Sequence, residues 1–277
     1  MKVLVTGAGG QLGQCFKKKS QLFPEIEFTF TTSQELDLSQ FGVVGVFMRQ
    51  NKFDYCINCA AYTNVEQAEK QQEMAYLVNA ESVRNLAEDC EDAETTLIHF
   101  STDYVFDGKK STPYSETDET NPLNVYGASK LLGEQYIQEK TNRYLIFRTS
   151  WLYSEIGKNF FNTIRTKAEA GETLNITTTQ SGTPTNAYDL AESVLKIVSK
   201  NTQAYGIYHY SNLGEATWYD FAQEILSLMG SSTKLNESND FQTLAERPKY
   251  SVLSKTKLLE TFDVPLKDWR ESLKQLF

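Results

Sequence analysis

Short apolar runs alternate with amphipathic stretches through the first 150 residues of the chain. Met1 to Thr6, Glu27 to Thr31, Tyr55 to Ala61, Thr96 to Phe100 and Arg143 to Phe147 each read as a strand buried in a sheet. Between them, apolar residues recur at helical spacing. Leu12 and Phe16 face inward after the first strand, and further helical segments run from Leu36 to Asn51 and from Val65 to Asp89. A last one carries Val125, Leu131, Leu132 and Ile137. Strand and helix in strict alternation predict an α/β fold with a doubly wound parallel sheet. Beyond residue 150 the pattern loosens. Helices are predicted at Phe160 to Ala170, Ala187 to Val198 and Trp218 to Met229, strands at Leu174 to Ile176 and Gly206 to Tyr210, and short helical pieces around Lys257 to Glu260 and Trp269 to Leu276. The expected organisation is a main domain over 1–150, rejoined by pieces from about 174–210. A smaller C-terminal lobe is assembled from 151–173 and 211–277.

The first strand runs into Gly7-Ala8-Gly9-Gly10-Gln11-Leu12-Gly13 and then a helix. Glycines there let the backbone turn tightly and approach a pyrophosphate, and the helix N-terminus adds amide donors and partial positive charge. This is a Rossmann-like dinucleotide cradle, with Gly7, Gly10, Gln11 and Leu12 as cofactor contacts. The second strand ends in Thr31-Thr32-Ser33, without the acid that usually holds the ribose hydroxyls of NAD. Hydroxyls there tolerate a 2′-phosphate, so NADPH is the expected cofactor and NADH the alternative. In Leu36-Asp37-Leu38, Asp37 either meets the adenine amino group or caps the following helix; Leu38 stands beside it as a cofactor contact. Ala60, Ala61 and Tyr62 close the third strand, where ligands of open parallel sheets bind, and small residues there let a flat ligand lie on the backbone.

Tyr126 and Lys130, four apart on a helix, share one face. A phenol titrates at roughly 10, too high for fast proton exchange at neutral pH, and an ammonium one turn away pulls it down. Tyr126 and Lys130 are therefore the candidate proton-transfer pair.

Composition narrows the partners. The 277 residues carry a formal net charge of -9, which argues against general nucleic-acid binding. A phosphorylated ligand must instead be held by local cations and amides. No apolar run reaches the roughly 18 residues of a membrane span, and the chain enters a strand without a basic-then-apolar leader, so a cytoplasmic protein is expected. Cys56 and Cys59, three apart on a strand, point to opposite faces and neither chelate nor bridge. His99 and His209 lie inside strands and read as structural; no metal site is expected.

Longer words resemble a known family. The opening Thr-Gly-x-x-Gly-Gln-Leu-Gly, Tyr126-x-x-x-Lys130 and Thr102 at the end of the fourth strand are similar to the extended short-chain dehydrogenase/reductases. Asn58-Cys59-Ala60-Ala61-Tyr62-Thr63, Ser101 to Gly108, Pro122 to Lys130, Arg148-Thr149-Ser150-Trp151, Gly182-Thr183-Pro184-Thr185 and Arg247-Pro248 resemble dTDP-4-dehydrorhamnose reductases within them. The resemblance spans nearly the whole chain. It implies reduction of the 4-keto group of dTDP-6-deoxy-L-lyxo-4-hexulose to dTDP-L-rhamnose by NAD(P)H. Tyr126 would be the proton donor, Lys130 its activator and a ribose contact, and Thr102 a second hydrogen bond to the ketone oxygen. It also implies Asp103 and Trp151 against the sugar of a nucleotide-sugar substrate, and it admits a homodimer. Asn159 and Arg247 are candidates for the diphosphate, since a guanidinium suits phosphate, with a structural role as the alternative for each. Sugar-nucleotide dehydratases follow the threonine with two acids; here Tyr104 follows Asp103, which favours a reductase. The chain departs from the family in two places. Cys15 and Phe16 stand where some members place a metal-binding glutamate, and Thr179 precedes Gln180 where an acid is common. Two alternatives stay open: a ketoreductase or epimerase for another nucleotide sugar, and a non-enzymatic NADP-binding regulator similar to the methionine adenosyltransferase beta subunit.

Overall fold

The computed structural model describes residues 1–238 and 243–277; residues 239–242 of the 211–277 stretch lie outside the described residues. In chain order, β1 (Lys2–Thr6) leads to α1 (Gln11–Lys19), β2 (Glu27–Thr31), α2 (Phe41–Asn51) and β3 (Tyr55–Asn58). Next come α3 (Val65–Ala68), α4 (Gln72–Tyr76), α5 (Ser82–Asp92), β4 (Thr96–Thr102), α6 (Val125–Lys140) and β5 (Tyr144–Thr149). The C-terminal part holds β6 (Leu152–Tyr153), α7 (Phe160–Glu169), β7 (Leu174–Ile176), β8 (Ser181–Gly182), β9 (Thr185–Asn186), α8 (Ala187–Ser199) and β10 (Gly206–His209). It finishes with β11 (Ala216–Thr217), α9 (Trp218–Leu228), β12 (Leu235–Glu237), α10 (Thr256–Thr261) and α11 (Trp269–Lys274).

Six strands form one parallel sheet in the order β10-β5-β4-β3-β1-β2. Side chains alternate between its faces, as strand geometry requires. Val3, Val5, Tyr55, Ile57, Leu145 and Phe147 pack under α1 and α8, whereas Leu4, Cys56 and Ile146 pack under α2, α5 and α6. Both faces are covered, which explains why the strands read as continuous apolar runs. Cys56 and Cys59 fall on opposite sides as expected, and all four cysteines are free. Of the returning stretch, α8 and β10 join this sheet, whereas β7 pairs with β12 in the smaller lobe. That lobe is built around Tyr153, Phe161, Phe221 and Trp269.

Three details differ from the sequence expectation. The third strand stops at Asn58, whose side chain accepts the Ala60 N–H at 3.0 Å just beyond its end. The single helix expected over 65–89 is broken. Gln71 leaves helical geometry (φ -123°, ψ 50°), and a π-turn at Leu77–Glu81 precedes α5. The π-turn aims Asn79 inward, where it clamps both backbone groups of Tyr62 and donates to Ser129. Finally, the buried face of α6 is largely polar. It presents Gly127, Ser129, Lys130, Gly133 and Glu134 to the interior, while Leu131 and Leu132 are half-buried. Gly133 is required, since a Cβ there would lie 2.2 Å from the carbonyl of Asn79.

Glu134 and Arg148 explain how a helix can bury such a face. The pair is nearly solvent-free, with 0% and 4% of the side chains exposed, and the guanidinium spans both carboxylate oxygens at 2.7–3.1 Å. Removing one member leaves an uncompensated buried charge. Glu134→Ala is expected to lose about 3–5 kcal/mol of stability, read from urea unfolding at neutral pH.

Candidate active site

The carboxyl ends of β1, β3 and β4 lie side by side in the sheet next to the N-terminus of α1, the place where open parallel sheets form a ligand crevice. Gly7 adopts φ +65°, and a Cβ on it would meet the Ala60 nitrogen at 2.5 Å. A Cβ on Gly13 would meet the Gly7 carbonyl at 2.4 Å, so α1 packs this close only because position 13 is glycine. Gly10 is the N-cap, and no side chain caps the helix. Its first-turn N–H groups lack intrahelical partners and suit an anion. Leu12 is buried in the core, so only its amide can face a ligand. The Gln11 Nε2 and the Thr31 hydroxyl are buried without partners, one on each side of the glycine turn. This cradle, with its unsatisfied donors, fits a dinucleotide.

The neighbouring candidates fall into place unevenly. Asp37 accepts from the backbone N–H and hydroxyl of Ser39 at 2.9 and 2.8 Å, which lowers its pKa. The N-cap of α2 is Gln40, so the helix-cap role considered for Asp37 does not hold: its carboxylate closes a turn before the helix begins. Leu38 is buried in the layer under α2. Ala60, Ala61 and Tyr62 line the crevice past β3, and the Tyr62 hydroxyl donates to Gln71. Four residues beyond β2, the Glu35 carboxylate folds back to accept from the N–H and hydroxyl of Thr32 at 2.8 and 2.9 Å. An acid thus stands beside the position that had none in the strand itself.

Tyr126 and Lys130 share a face of α6, but their electrostatics differ from expectation. The Lys130 amine is buried and turns to the His99 ring, with Nζ 3.1 Å from Nε2. Burial lowers its pKa to about 8. The phenol of Tyr126 is raised to about 12 by burial, opposed by a hydrogen bond with Thr102 and reinforced by the nearby Asp103. Lys130 therefore does not lower the Tyr126 phenol in this form of the protein: desolvation dominates, and the amine faces the histidine instead. Tyr126 is a fully protonated donor at neutral pH.

Thr102 ends β4 and caps a short 3-10 turn at Asp103–Val105, accepting the Tyr104 N–H at 3.1 Å. Its hydroxyl lies 3.0 Å from Asp103 Oδ1. Asp103 is 2% exposed, its Oδ2 has no partner, and burial raises its pKa to about 7. Near neutrality this carboxyl exchanges between acid and anion, so the Thr102–Asp103 hydrogen bond can run in either direction. Tyr104, where dehydratases carry a second acid, sets its ring edge-on to Tyr126 with centroids 6.1 Å apart.

Trp151, at φ +47°, lies between Gly182 and Trp218. The two indoles stack at 3.6 Å and 7°, and Trp218 donates to Gln180 at 3.0 Å. Arg247 is ion-paired to Glu66 at 2.9 Å, and its Nε is buried without a partner. Asn159 caps α7, and its amide donates to Gln11, Ser154 and Ile156, so its polar atoms are occupied within the fold. Three neighbouring groups were not read as part of the site in the sequence: His99 under Lys130, which read as structural, Trp218 stacked on Trp151, and Gln180 hydrogen-bonded to Trp218. His99 had a usable signal, a titratable ring in the strand that ends in Thr102. Among the described residues no acid, cysteine and histidine cluster could hold a metal.

A model of the RmlD substrate binding domain family matches residues 1–277. The dTDP-4-dehydrorhamnose reductase of Aggregatibacter actinomycetemcomitans is 37% identical over 287 residues, covering 99% of this chain and 98% of the relative. The chain belongs to the dTDP-4-dehydrorhamnose reductase family. A solved dTDP-4-dehydrorhamnose reductase from Clostridium acetobutylicum superposes with a TM-score of 0.95 at 39% identity, covering 100% of this chain and 98% of the other. The Bacillus anthracis dTDP-4-dehydrorhamnose reductase, solved in complex with NADP, matches with a TM-score of 0.95 at 35% identity and the same coverage. In this reductase family member, as in any protein, a carboxyl that titrates higher folded than unfolded binds its proton preferentially in the folded state. The stability it confers is present at low pH and is lost as pH rises through the folded pKa. Asp103→Asn should therefore gain a few kcal/mol over wild type at pH 8, with the gain shrinking towards pH 4, as measured by denaturant melts across that range.

Proposed function

We propose that this chain reduces the 4-keto group of dTDP-6-deoxy-L-lyxo-4-hexulose to dTDP-L-rhamnose. One observation carries the assignment: a protonated phenol, Tyr126, stands one helical turn before Lys130 on α6, beside Thr102 and Asp103 at the end of β4, in the same sheet whose β1 leads into the uncapped N-terminus of α1. Bound NADPH would supply the hydride. Gly7, Gly10, Gln11 and Leu12 would hold its pyrophosphate, and Thr31 and Thr32 its adenosine ribose. Glu35 beside Thr32 is the feature that would let NADH compete. Asp37, Leu38, Ala60, Ala61 and Tyr62 complete the adenine and nicotinamide walls.

As negative charge develops on the ketone oxygen, Tyr126 donates its proton and the Thr102 hydroxyl donates a hydrogen bond to the same atom. The Lys130 amine, turning from His99, would meet the nicotinamide ribose. Asp103 and Trp151 would orient the sugar. Arg247 would exchange Glu66 for a diphosphate oxygen, a trade that suits a guanidinium; Asn159 would act there through its grip on Gln11. With Tyr104 in place of a second acid, the site lacks the pair that a dehydratase needs. An intact Thr102, Tyr126 and Lys130 also favour an enzyme over a regulatory subunit. A cytoplasmic homodimer is part of this proposal, with a molar mass by light scattering as its check.

NADPH absorbance followed with dTDP-4-keto-6-deoxyglucose and a 3,5-epimerase should fall only when the epimerase is present. Tyr126→Phe should bind NADPH nearly normally and lose at least about 100-fold in turnover, the scale of general acid catalysis. A Phe variant with wild-type rate would refute the mechanism. Lys130→Met should weaken both turnover and cofactor binding.

A further inference from the structure

Four buried polar groups form a line from β1 to α6. The Thr6 hydroxyl donates to Asn58 Oδ1 at 2.8 Å, Asn58 Nδ2 lies 3.2 Å from His99 Nδ1, and His99 Nε2 lies 3.1 Å from Lys130 Nζ. All four residues are at most 2% exposed. The orientation of Asn58 is fixed independently, because the Ala60 backbone N–H, which can only donate, points at Oδ1 from 3.0 Å. Nδ2 must then be the group facing His99, and it too can only donate. His99 Nδ1 is consequently an acceptor, and the proton of the neutral ring sits on Nε2. That N–H points at Lys130. An ammonium there would oppose donor to donor; a neutral amine accepts the hydrogen bond and satisfies every contact in the line. Among the described residues no carboxylate forms an ion pair with Lys130 that would compensate a charge.

We propose that His99 is a positioning residue for the reduction: locked by Asn58 as the Nε2–H tautomer, it holds Lys130 as a neutral amine in the free protein at mildly alkaline pH, until cofactor binds. Lys130 then takes a proton from solvent as it turns to the ribose hydroxyls, a step that rests on the cofactor placement proposed above. Charged and titratable neighbours of the amine do not undo this. Glu134 lies one turn further along α6, but its carboxylate is engaged by Arg148 of β5. Tyr126, one turn earlier, is protonated, and Asp103 lies on its Thr102 side. Asn58, Asn79 and Ser129 carry no charge. Desolvation shifts both Lys130 and His99 towards their neutral forms, with the Lys130 amine mainly neutral above about pH 8, where the hydrogen-bond pattern holds. The line is not a proton wire, because it ends at Thr6, which is fully buried.

The chain has two histidines, so long-range proton–nitrogen spectra of the free, nitrogen-15-labelled protein resolve each ring. His99 is expected as the neutral Nε2–H tautomer at about pH 9, above the Lys130 pKa of about 8, where the amine is neutral. His209 Nδ1 faces the Tyr114 carbonyl at 3.0 Å, so His209 is expected as the opposite tautomer and serves as the internal standard. A His99 ring protonated on Nδ1, or an imidazolium at that pH, overturns the proposal.

Calorimetry of NADPH binding in buffers of different ionisation enthalpy gives the second readout. At about pH 8.5 wild type should take up about half a proton or more per site. His99→Gln, whose carbonyl can accept from an ammonium, should cut that uptake at least about threefold. Asn58→Asp should do the same, since a carboxylate demands Nδ1–H and turns Nε2 into an acceptor. Unchanged uptake in both variants overturns the proposal. Neither measurement uses a sugar nucleotide. Absent ketone reduction alongside the expected tautomer and uptake would refute the proposed reaction alone, and a wrong tautomer in an active reductase would refute this inference alone.

Discussion

The site depends on a carboxylate and a guanidinium that meet in the middle of the protein. Glu134 and Arg148 let α6 turn its polar side inward, and that choice decides what its N-terminal half presents to the crevice. With the helix pinned one turn beyond Lys130, Tyr126 and Lys130 are carried to the edge of the sheet where β4 ends. The contact of Gly133 with Asn79 sets how deeply the helix sits. A helix with an apolar inner face would pack as well or better, since buried ion pairs are seldom more stabilising than hydrophobic isosteres. It would not bring a lysine to a histidine with no water between them.

Glycine supplies the second constraint. Gly7 and Gly13 remove the side chains that would separate β1, the backbone beyond β3 and α1, and the three elements close to van der Waals contact. The donors gathered there have no partner within the fold, notably Gln11 Nε2 and Thr31 Oγ1. Strongly acidic overall, the protein gathers these donors at one crevice. Short-range geometry, not the global field, defines where a phosphorylated ligand goes.

Much of this was legible in the sequence. Buried parallel strands announce themselves as apolar runs, and the sheet has all of its six strands where such runs stand. Glycines between a strand and a helix, and a tyrosine and lysine four apart, stand in the structure on the elements their spacing indicated. Less visible was whatever depends on contacts distant along the chain. The π-turn at Leu77–Glu81 breaks a segment whose periodicity reads as one helix, because a tertiary bond from Asn79 to Tyr62 outweighs local preference. His99 read as filler in a strand; only its meeting with Asn58 and Lys130 gives it a protonation state that matters. The same holds for Tyr126, whose partner on the helix proved less important to its proton than its desolvation.

The stacked indoles of Trp151 and Trp218 give the molecule an optical character of its own. Two of its three tryptophans lie face to face at 3.6 Å, close enough for their excited states to mix and for their emission to be quenched. The third, Trp269, is fully buried in the core of the smaller lobe. Ordinary fluorescence therefore follows the interior of that lobe, while circular dichroism of the coupled pair follows the packing of Trp151 against Trp218. One chain thus carries two separate optical windows, one on the interior of the smaller lobe and one on the stacked pair.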